Sequence, residues 1–215
     1  MTQSAKDLEI LTLQLGPMEN NTYLLADAAT GEAVVIDPSF DSQLVQDEAA
    51  QRGWRLQAVW LTHAHFDHIA GVKLIAEAAN PPLPVGLHPA DLPIWREGGG
   101  ARLFGLKIDP GPKPSILFTA DQKLQVGQHI IQVRHTPGHT PGHVVFYAPE
   151  ASAVICGDLI FYRGVGRTDL PGGDPEQLIH SIHTHIMSLP PETRLLSGHG
   201  PETTVGEEAA ENPYL

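Results

Sequence analysis

Thr62-His63-Ala64-His65-Phe66-Asp67-His68 decides the fold, because it places four metal-binding side chains within six residues. It follows residues 56–61, a short apolar run that is typical of a buried strand. A loop at a strand end can turn all four side chains toward one place while the sheet beneath holds them. Imidazole nitrogen and carboxylate oxygen suit Zn, Fe, Mn or Ni. Because four such ligands crowd a single ion, we expect them to divide between two ions about 3.5–4 Å apart.

Three further candidate ligands follow this loop, each at the end of a predicted strand and beside glycine. They are His139 in Thr136-Pro137-Gly138-His139-Thr140, Asp158 in Cys156-Gly157-Asp158, and His199 in Gly198-His199-Gly200. Glycine neighbours allow the backbone to come close to a ligand. Only the fold can bring these distant positions to the loop.

The remaining patterns predict strands in two groups, each accompanied by helices. Strands are predicted at residues 8–15, 22–26, 33–37, 56–61, 85–87, 124–126, 130–135, 144–147, 153–156 and 194–196. Helices are predicted at residues 41–52, 69–79, 90–95 and 175–188. Two sheets packed together with helices outside, an α/β layered domain, explain this order.

Composition and charge narrow the classes of partner and cellular location that we expect. The 215 residues carry a net charge of −12, which disfavours a nucleic-acid partner because phosphate binding needs clustered Lys and Arg. No apolar run is long enough to span a membrane, and residues 1–7 show no basic region before an apolar run, so we expect no secretory signal. A single cysteine, Cys156, excludes an intrachain disulfide and fits a reducing compartment, so we expect a cytoplasmic protein. A homodimer is left open.

The ordered motif set is similar to the metallo-β-lactamase superfamily, and most similar to its glyoxalase II-type (hydroxyacylglutathione hydrolase-like) branch. The motifs are the His-x-His-x-Asp-His loop, Gly138-His139-Thr140, Gly157-Asp158 and Gly198-His199-Gly200. The resemblance runs from Asn20-Asn21-Thr22-Tyr23 through Gly166-Arg167-Thr168-Asp169 to the end of the sequence. It implies a four-layer αββα sandwich formed by residues 1–215 as one domain.

The resemblance also implies the role of each ligand. Metal 1 would be held by His63, His65 and His139, and metal 2 by Asp67, His68 and His199. Asp158 would bridge the two, and Asp67 and Asp158 are the carboxylates that we place at the reaction centre as catalytic residues. The cofactors would be two divalent ions, Zn first, with Fe or Mn as alternatives. A hydroxide between the metals would attack the carbonyl of a small-molecule thioester or ester.

Two residues are candidates for binding the substrate. Arg167 can bind a carboxylate with two hydrogen bonds, although a structural ion pair with Asp169 is an equal alternative. Tyr162 can donate to an oxyanion or simply pack. Glyoxalase II has a C-terminal helical extension that contributes to glutathione binding, and only 16 residues follow His199 here. We therefore expect the short, single-domain subgroup, and the usual glutathione contacts are not expected.

Two alternative functions stay open. The superfamily includes mononuclear iron persulfide dioxygenases, which also have a Gly-Arg-Thr-Asp-like segment but a reduced ligand set. It also includes lactonases and promiscuous β-lactamases, with which Asp67 is compatible. The ending Gly198-His199-Gly200 favours the hydrolases, which usually keep metal 2. Of the remaining residues, we expect Asp37 to lie near the site without binding metal, His135 and His143 to be structural, and Cys156 to be buried packing.

Overall fold

The computed structural model describes residues 8–215, so the stretch 1–7, in which no secretory signal was expected, lies outside the described residues. The first half of the chain forms a six-stranded sheet in which spatial order follows chain order. Its strands are β1 (Leu8–Leu15), β2 (Asn20–Asp27), β3 (Glu32–Ile36), β4 (Arg55–Trp60), β5 (Val85–Leu87) and β6 (Ile116–Leu117). β1, β2 and β3 pair antiparallel, and β3 to β6 pair parallel.

The second half forms another six-stranded sheet, in the order β14-β13-β10-β9-β8-β7. Its strands are β7 (Lys123–Val126), β8 (His129–His135), β9 (Val144–Ala148), β10 (Ala153–Gly157), β13 (Arg194–Ser197) and β14 (Thr203–Thr204). A small hairpin, β11 (Ile160–Phe161) with β12 (Gly164–Val165), stands apart from both sheets. β10 and β13 are parallel, and the other pairs of this sheet are antiparallel.

Helices cover the outer face of each sheet. They are α1 (Gln43–Gln51), α2 (Phe66–Ile69), α3 (Val72–Glu77), α4 (Leu92–Arg96), α5 (Pro175–His185) and α6 (Val205–Glu211). Short 3-10 turns lie at Pro89–Asp91, Ala101–Phe104 and Pro149–Ala151. Within residues 8–215, no helix has the length and apolar character needed to cross a membrane.

Alternation along the strands divides the apolar side chains into three layers. Leu25 and Trp60 of the first sheet meet Val133 and Phe146 of the second, and they form the core between the sheets. Neighbouring positions point outward, where the first sheet packs against α1, α3 and α4 and the second against α5 and α6. Period-two alternation requires this arrangement, because successive side chains of a strand point to opposite faces. The expected αββα sandwich is confirmed.

The helix predicted at residues 69–79 is wrong in its bounds. The chain forms two short helices instead, α2 and α3, which are separated at Gly71. Gly71 packs closely against the residues that precede α1, and a Cβ at this position would collide with the Oγ of Ser42 and the carbonyl of Ser39. The helix predicted to end at residue 188 ends at His185. The break at Gly71 arises from a tertiary contact that a periodic pattern does not contain.

Candidate metal centre

The ligand loop lies where β4 ends, at the rim shared by the two sheets. Asp37, just after the adjacent β3, accepts hydrogen bonds from the backbone N–H of Thr62 at 2.7 Å and from its hydroxyl at 2.6 Å. These bonds fix the start of the loop. The last two ligands of this segment, Asp67 and His68, lie on α2, so the segment that we predicted as a loop is partly helical.

Three histidines form a first group. The Nε2 atoms of His63 and His139 are 3.2 Å apart, and Nδ1 of His65 is 2.8 Å from Nε2 of His139. All three residues are buried. The structure therefore brings together the three residues that we assigned to metal 1.

Asp67, His68 and His199 form a second group beside the first. Nε2 of His199 lies 3.3 Å from Oδ2 of Asp67, and Nε2 of His68 lies 3.7 Å from the same oxygen. His68 is fully buried, whereas the His199 side chain is 30% exposed, so the centre opens to solvent on the His199 side. These are the residues that we assigned to metal 2.

Asp158 lies between the two groups. Its Oδ2 is 3.6 Å from Nε2 of His139, and its Oδ1 is 3.3 Å from Nε2 of His68. Gly198 makes this position available, because a Cβ there would collide with Oδ1 of Asp158. Oδ2 also lies 3.8 Å from Nε2 of His199, so the carboxylate is near both groups, which is the position expected of a bridging ligand.

Hydrogen bonds on the far side of the rings decide which nitrogen faces the centre. Nδ1 of His139 donates to the carbonyl of Arg167 at 2.7 Å, and Nδ1 of His199 donates to that of Met18 at 3.0 Å. Nδ1 of His68 donates to Oδ2 of Asp37 at 3.0 Å. Each ring therefore presents an unprotonated Nε2 inward when it is neutral, which is the form that binds a metal.

His63 follows the same rule through Thr62. The Thr62 hydroxyl uses its proton on Asp37, so its oxygen accepts from Nδ1 of His63 at 3.0 Å. Asp37 therefore orients a ligand of each group, His68 directly and His63 through Thr62. This confirms the expectation that Asp37 lies beside the site. Asp37, His63 and His68 form a third group of possible ligands, but the oxygens of Asp37 already accept from Thr62 and His68.

The charges of the cluster are strongly coupled. Burial lowers the pKa of His65 to about 3, with His139 adding to the effect. Burial opposes ionisation of Asp158, but the neighbouring His68 outweighs it and holds the pKa of this carboxyl well below its usual range. Burial likewise opposes protonation of His68, yet Asp158 and Asp67 raise its pKa well above the ordinary value. The two carboxylates thus favour positive charge in the cluster, which a protonated His68 or a bound cation supplies.

The donor set fits two divalent cations. Nε2 of His68 and Oδ1 of Asp158 are buried and face each other at 3.3 Å, and neither has a hydrogen bond of good geometry within residues 8–215. Such orphaned atoms cost free energy unless an ion or a water meets them. Nδ1 of His65 and Nε2 of His139 face each other at 2.8 Å, so both nitrogens are available to a cation in place of the hydrogen bond that they can share. Five imidazoles and two carboxylates are the ligands that Zn, Fe and Mn accept.

The sequence analysis missed two residues that hold the ligands. Nδ2 of Asn20, at the start of β2, donates to Oδ2 of Asp67 at 3.0 Å. Asp91 is fully buried and accepts from the N–H groups of Ala64 and Gly142, at 3.0 and 2.6 Å, and from the Thr140 hydroxyl at 2.8 Å. Asp91 thereby ties the loop of His63 to the loop of His139. Burial raises its pKa, and these hydrogen bonds oppose that shift.

A cavity of about 880 Å³ opens directly above the ligands. His65, Asp67, His139, Asp158 and His199 form its floor, and its walls are mainly apolar. One wall comes from residues 90–104 and the other from the hairpin β11–β12 and residues 170–172. A substrate in this cavity reaches the ligand cluster directly.

The two predicted substrate-binding residues differ in position. Arg167 lines the cavity, but its Nε and Nη2 donate to Asp169, both at 2.7 Å, so the structural ion pair is present as well. Tyr162 is 50% exposed, lies outside the cavity lining, and has the Arg163 guanidinium 4.6 Å from its ring centroid. The packing alternative is therefore favoured for Tyr162, and its neighbour Phe161 lines the cavity instead.

The other histidines and the cysteine lie outside the two groups. His135 ends β8, stacks on His88 at 4.1 Å between ring centroids, and has Nε2 2.9 Å from the Pro141 carbonyl. His143 is buried behind His63, with ring centroids 5.3 Å apart, and its Nδ1 lies 2.8 Å from the Thr136 hydroxyl. Cys156 is buried against the α5 layer, and burial raises its pKa. These placements agree with structural roles.

The sequence profile of the metallo-beta-lactamase superfamily matches residues 15–199, which contain every ligand described above. The chain belongs to the metallo-beta-lactamase superfamily. Its αββα layers and the site at the rim of the two sheets are those of this superfamily, whose members use divalent metals. The chain is accordingly a metallohydrolase-type protein.

Curated relatives of the chain include proteins that carry functional names. The probable metallo-hydrolase YqgX of Bacillus subtilis (strain 168) is 36% identical over 206 residues, which cover 94% of this chain and 95% of the relative. The hydroxyacylglutathione hydrolase GloC of Haemophilus influenzae (strain ATCC 51907 / DSM 11121 / KW20 / Rd) is 31% identical over 185 residues, covering 85% and 87%. The chain is thus similar to hydrolases along nearly its whole length.

Two solved structures of the superfamily are also similar. TTHA1623 in a di-iron-bound form is 44% identical, with a TM-score of 0.87, over 95% of this chain and 100% of the other. The B3 metallo-beta-lactamase BLEG-1 is 36% identical, with a TM-score of 0.88, over 96% and 99%. The first of these structures holds two irons, so iron is a metal that a protein similar to this chain accepts.

Proposed function

We propose that this protein is a dinuclear metal-dependent hydrolase of thioesters or esters. The observation that carries the proposal is the pair of three-residue ligand groups with Asp158 between them, at the floor of an open cavity. A complete second group supports two ions rather than one, and its exposed edge at His199 gives a substrate access.

The proposal assigns the ligands as follows. His63, His65 and His139 hold metal 1, Asp67, His68 and His199 hold metal 2, and Asp158 bridges them. We propose Zn first, with Fe or Mn as alternatives, and the di-iron form of TTHA1623 supports iron. Two such cations, when bound, supply a water molecule with its pKa lowered to about 7 and Lewis-acid polarisation of a carbonyl.

The protein's own residues prepare this chemistry. The Asp37 carboxylate and the carbonyls of Met18 and Arg167 accept the outward N–H groups of the ligand imidazoles, which fixes the metal-binding nitrogens inward. Asn20 holds Asp67 in place by donating to its Oδ2. The cavity walls exclude water from the substrate while the floor holds its carbonyl.

The proposal has further parts. The substrate is a small molecule, because a charge of −12 disfavours nucleic acid as a partner, and we propose no membrane partner. Residues 1–215 act as one domain, since the ligands come from both sheets, and the protein works in the cytoplasm, in keeping with its one cysteine. A homodimer stays open. Arg167, which lines the cavity, contributes a contact to the substrate.

Metal content per chain and thioester hydrolysis together test this proposal. Protein purified without added metal should contain about two Zn, Fe or Mn per chain by elemental analysis, and it should hydrolyse thioesters and activated esters. His63→Ala removes a ligand and should abolish turnover, whereas His183→Ala, on an exposed position of α5, should retain it.

Other results would contradict the proposal. One iron per chain, together with oxygen consumption in the presence of a persulfide and no ester hydrolysis, would favour the dioxygenase. Hydrolysis confined to a β-lactam or a lactone would favour the third alternative, for which the similarity to BLEG-1 is the supporting observation.

A further inference from the structure

The walls of the cavity above the ligands are apolar on both sides. Residues 90–104 contribute Ile94, Leu103 and Phe104, and the facing side contributes Phe161, Val165 and Leu170. Phe66, between the ligands His65 and Asp67, belongs to the same surface, with its ring centroid 5.1 Å from that of Phe104. The apolar surface therefore begins at the ligand cluster and continues to the mouth.

The mouth exposes large apolar side chains to solvent. Leu103 is 66% exposed, Phe104 is 44% exposed, and Met18 on the opposite edge is 37% exposed. Apolar side chains grouped around one opening next to a reactive centre mark a binding surface, because water contact is unfavourable for each of them. Scattered exposed apolar residues elsewhere on the described chain, such as Leu44 and Leu74, do not surround a cavity.

The volume exceeds what a small polar acyl group needs. About 880 Å³ lies near the upper end of the range of about 300–1,000 Å³ for small-molecule sites. Glutathione is a polar peptide with two carboxylates, and it requires several polar partners. The walls supply only a few charged groups, Glu97, Arg102 and Arg167, and Arg167 is already paired with Asp169.

We propose that this cavity binds an extended aliphatic or aromatic group of the substrate, so that the substrates are thioesters or esters with an apolar arm rather than glutathione conjugates. This inference rests on the proposed hydrolase function. The apolar arm belongs either to the acyl group or to the leaving group, since both flank the reacting carbonyl.

Two series of thioesters separate the acyl arm from the leaving-group arm. In one, acyl groups from acetyl to octanoyl are carried on 2-mercaptoethanol, and in the other, an acetyl group is carried on thiols from ethanethiol to octanethiol. Thiol release is followed with a chromogenic disulfide. kcat/KM should rise about threefold per added methylene in at least one series, because each buried methylene adds transfer free energy. S-lactoylglutathione should be slower than the octyl substrates.

Substitutions at the mouth test the residues themselves. The double variant Leu103→Ser, Phe104→Ser should lower the ratio of octanoyl to acetyl kcat/KM by about tenfold, or the corresponding thiol ratio, since the apolar contact of two residues of one wall is lost. Leu106→Ser is the matched control, because Leu106 is 40% exposed in the same segment but does not line the cavity. It should leave the ratio unchanged, and circular dichroism should show all variants folded.

Binding without turnover separates this inference from the proposed function. Octanamide should bind the protein with its metals bound at least tenfold more tightly than propanamide in calorimetry, and the double variant should lose that difference. Octanamide binding without hydrolysis of any thioester would overturn the hydrolase and leave the apolar site in place. If the protein hydrolyses thioesters with a kcat/KM that does not change with chain length in either series, or binds the two amides equally, the apolar site is overturned and the hydrolase function remains.

Discussion

At the residue scale, Asp37 shows how one carboxylate controls a site to which it contributes no proposed ligand. It has a left-handed backbone, with φ of 52°, and its oxygens accept from two groups of Thr62 and from Nδ1 of His68. Partners of this kind fix the tautomer and the orientation of a ligand imidazole. Metal binding by the second ligand group therefore depends on Asp37, which follows the neighbouring strand β3.

Asp37→Asn should weaken binding of the metal at His68 by about 10- to 100-fold, the usual effect of losing such a partner. The amide oxygen of Asn can still accept a hydrogen bond, but the amide NH₂ faces groups of Thr62 or His68 that are themselves donors. Metal affinity is measured by competition with a chromogenic chelator. Asp41→Asn is the matched control, because Asp41 has a similar φ of 59° but is exposed, and it should leave the affinity unchanged. Equal affinities in the two variants would refute the role of Asp37.

At the element scale, the C-terminal helix α6 holds the hairpin that forms one cavity wall. Glu208 of α6 is fully buried and accepts from the backbone N–H and the guanidinium of Arg163, both at 2.9 Å. The Thr203 hydroxyl donates to it at 2.6 Å and Nδ2 of Asn212 at 2.8 Å. Asn212 also donates to the carbonyl of Gly164. The position of Phe161 on that hairpin is thus set by a helix far along the chain.

Glu208→Ala should lower the Tm by on the order of 5–10 °C, because it leaves several buried donors without an acceptor. It should also raise KM for the apolar thioesters more than it lowers kcat, since the hairpin wall loosens. Calorimetry and steady-state kinetics measure the two effects. Glu211 is another partner of Arg163, and its side chain is 65% exposed. Glu211→Ala should therefore change the Tm by about 1 °C or less. Similar losses in both variants would contradict the argument.

Elements with a strong local pattern were predictable from the sequence. β1 and β5 have the predicted bounds, β1 because its apolar residues alternate and β5 because prolines bound a short apolar run. The hairpin β11–β12 was missed, since two-residue strands have no periodicity to detect. The break at Gly71 was missed for another reason, namely that the collision with Ser42 which demands it exists only in the folded chain.

The candidate site was predictable to a similar degree. All seven proposed ligands could be predicted from the sequence, because histidines and aspartates at strand ends form a recognisable pattern. The structure brings these seven residues together. Asn20 and Asp91 carry no such pattern, and their partners Asp67 and Gly142 are 47 and 51 positions away in the sequence. The cavity was not predictable either, since side chains from several separate segments form its walls.

At the scale of the whole molecule, the proposed metals join its two halves. His63, His65, Asp67 and His68 follow the first sheet, whereas His139, Asp158 and His199 follow strands of the second. Each ligand group contains residues from both. Asp91 adds a metal-independent link between the same two halves. Metal binding should therefore stabilise the packing of one sheet on the other and not a single loop.

Removing both metals with a chelator should lower the Tm by about 10–20 °C, since each ion contributes about half of this shift. An ion present at about 100 times its Kd stabilises the folded state by about 2.7 kcal/mol, and each kcal/mol shifts the Tm of a chain this long by about 2–4 °C. His199→Ala, which removes a ligand of only one ion, should lose about half as much on chelation. His183→Ala, an exposed histidine of α5, should lose the full amount. Scanning calorimetry with and without chelator measures each shift. If chelation leaves the wild-type Tm unchanged, the metals do not hold the two sheets together, because an ion bound across them must stabilise their packing.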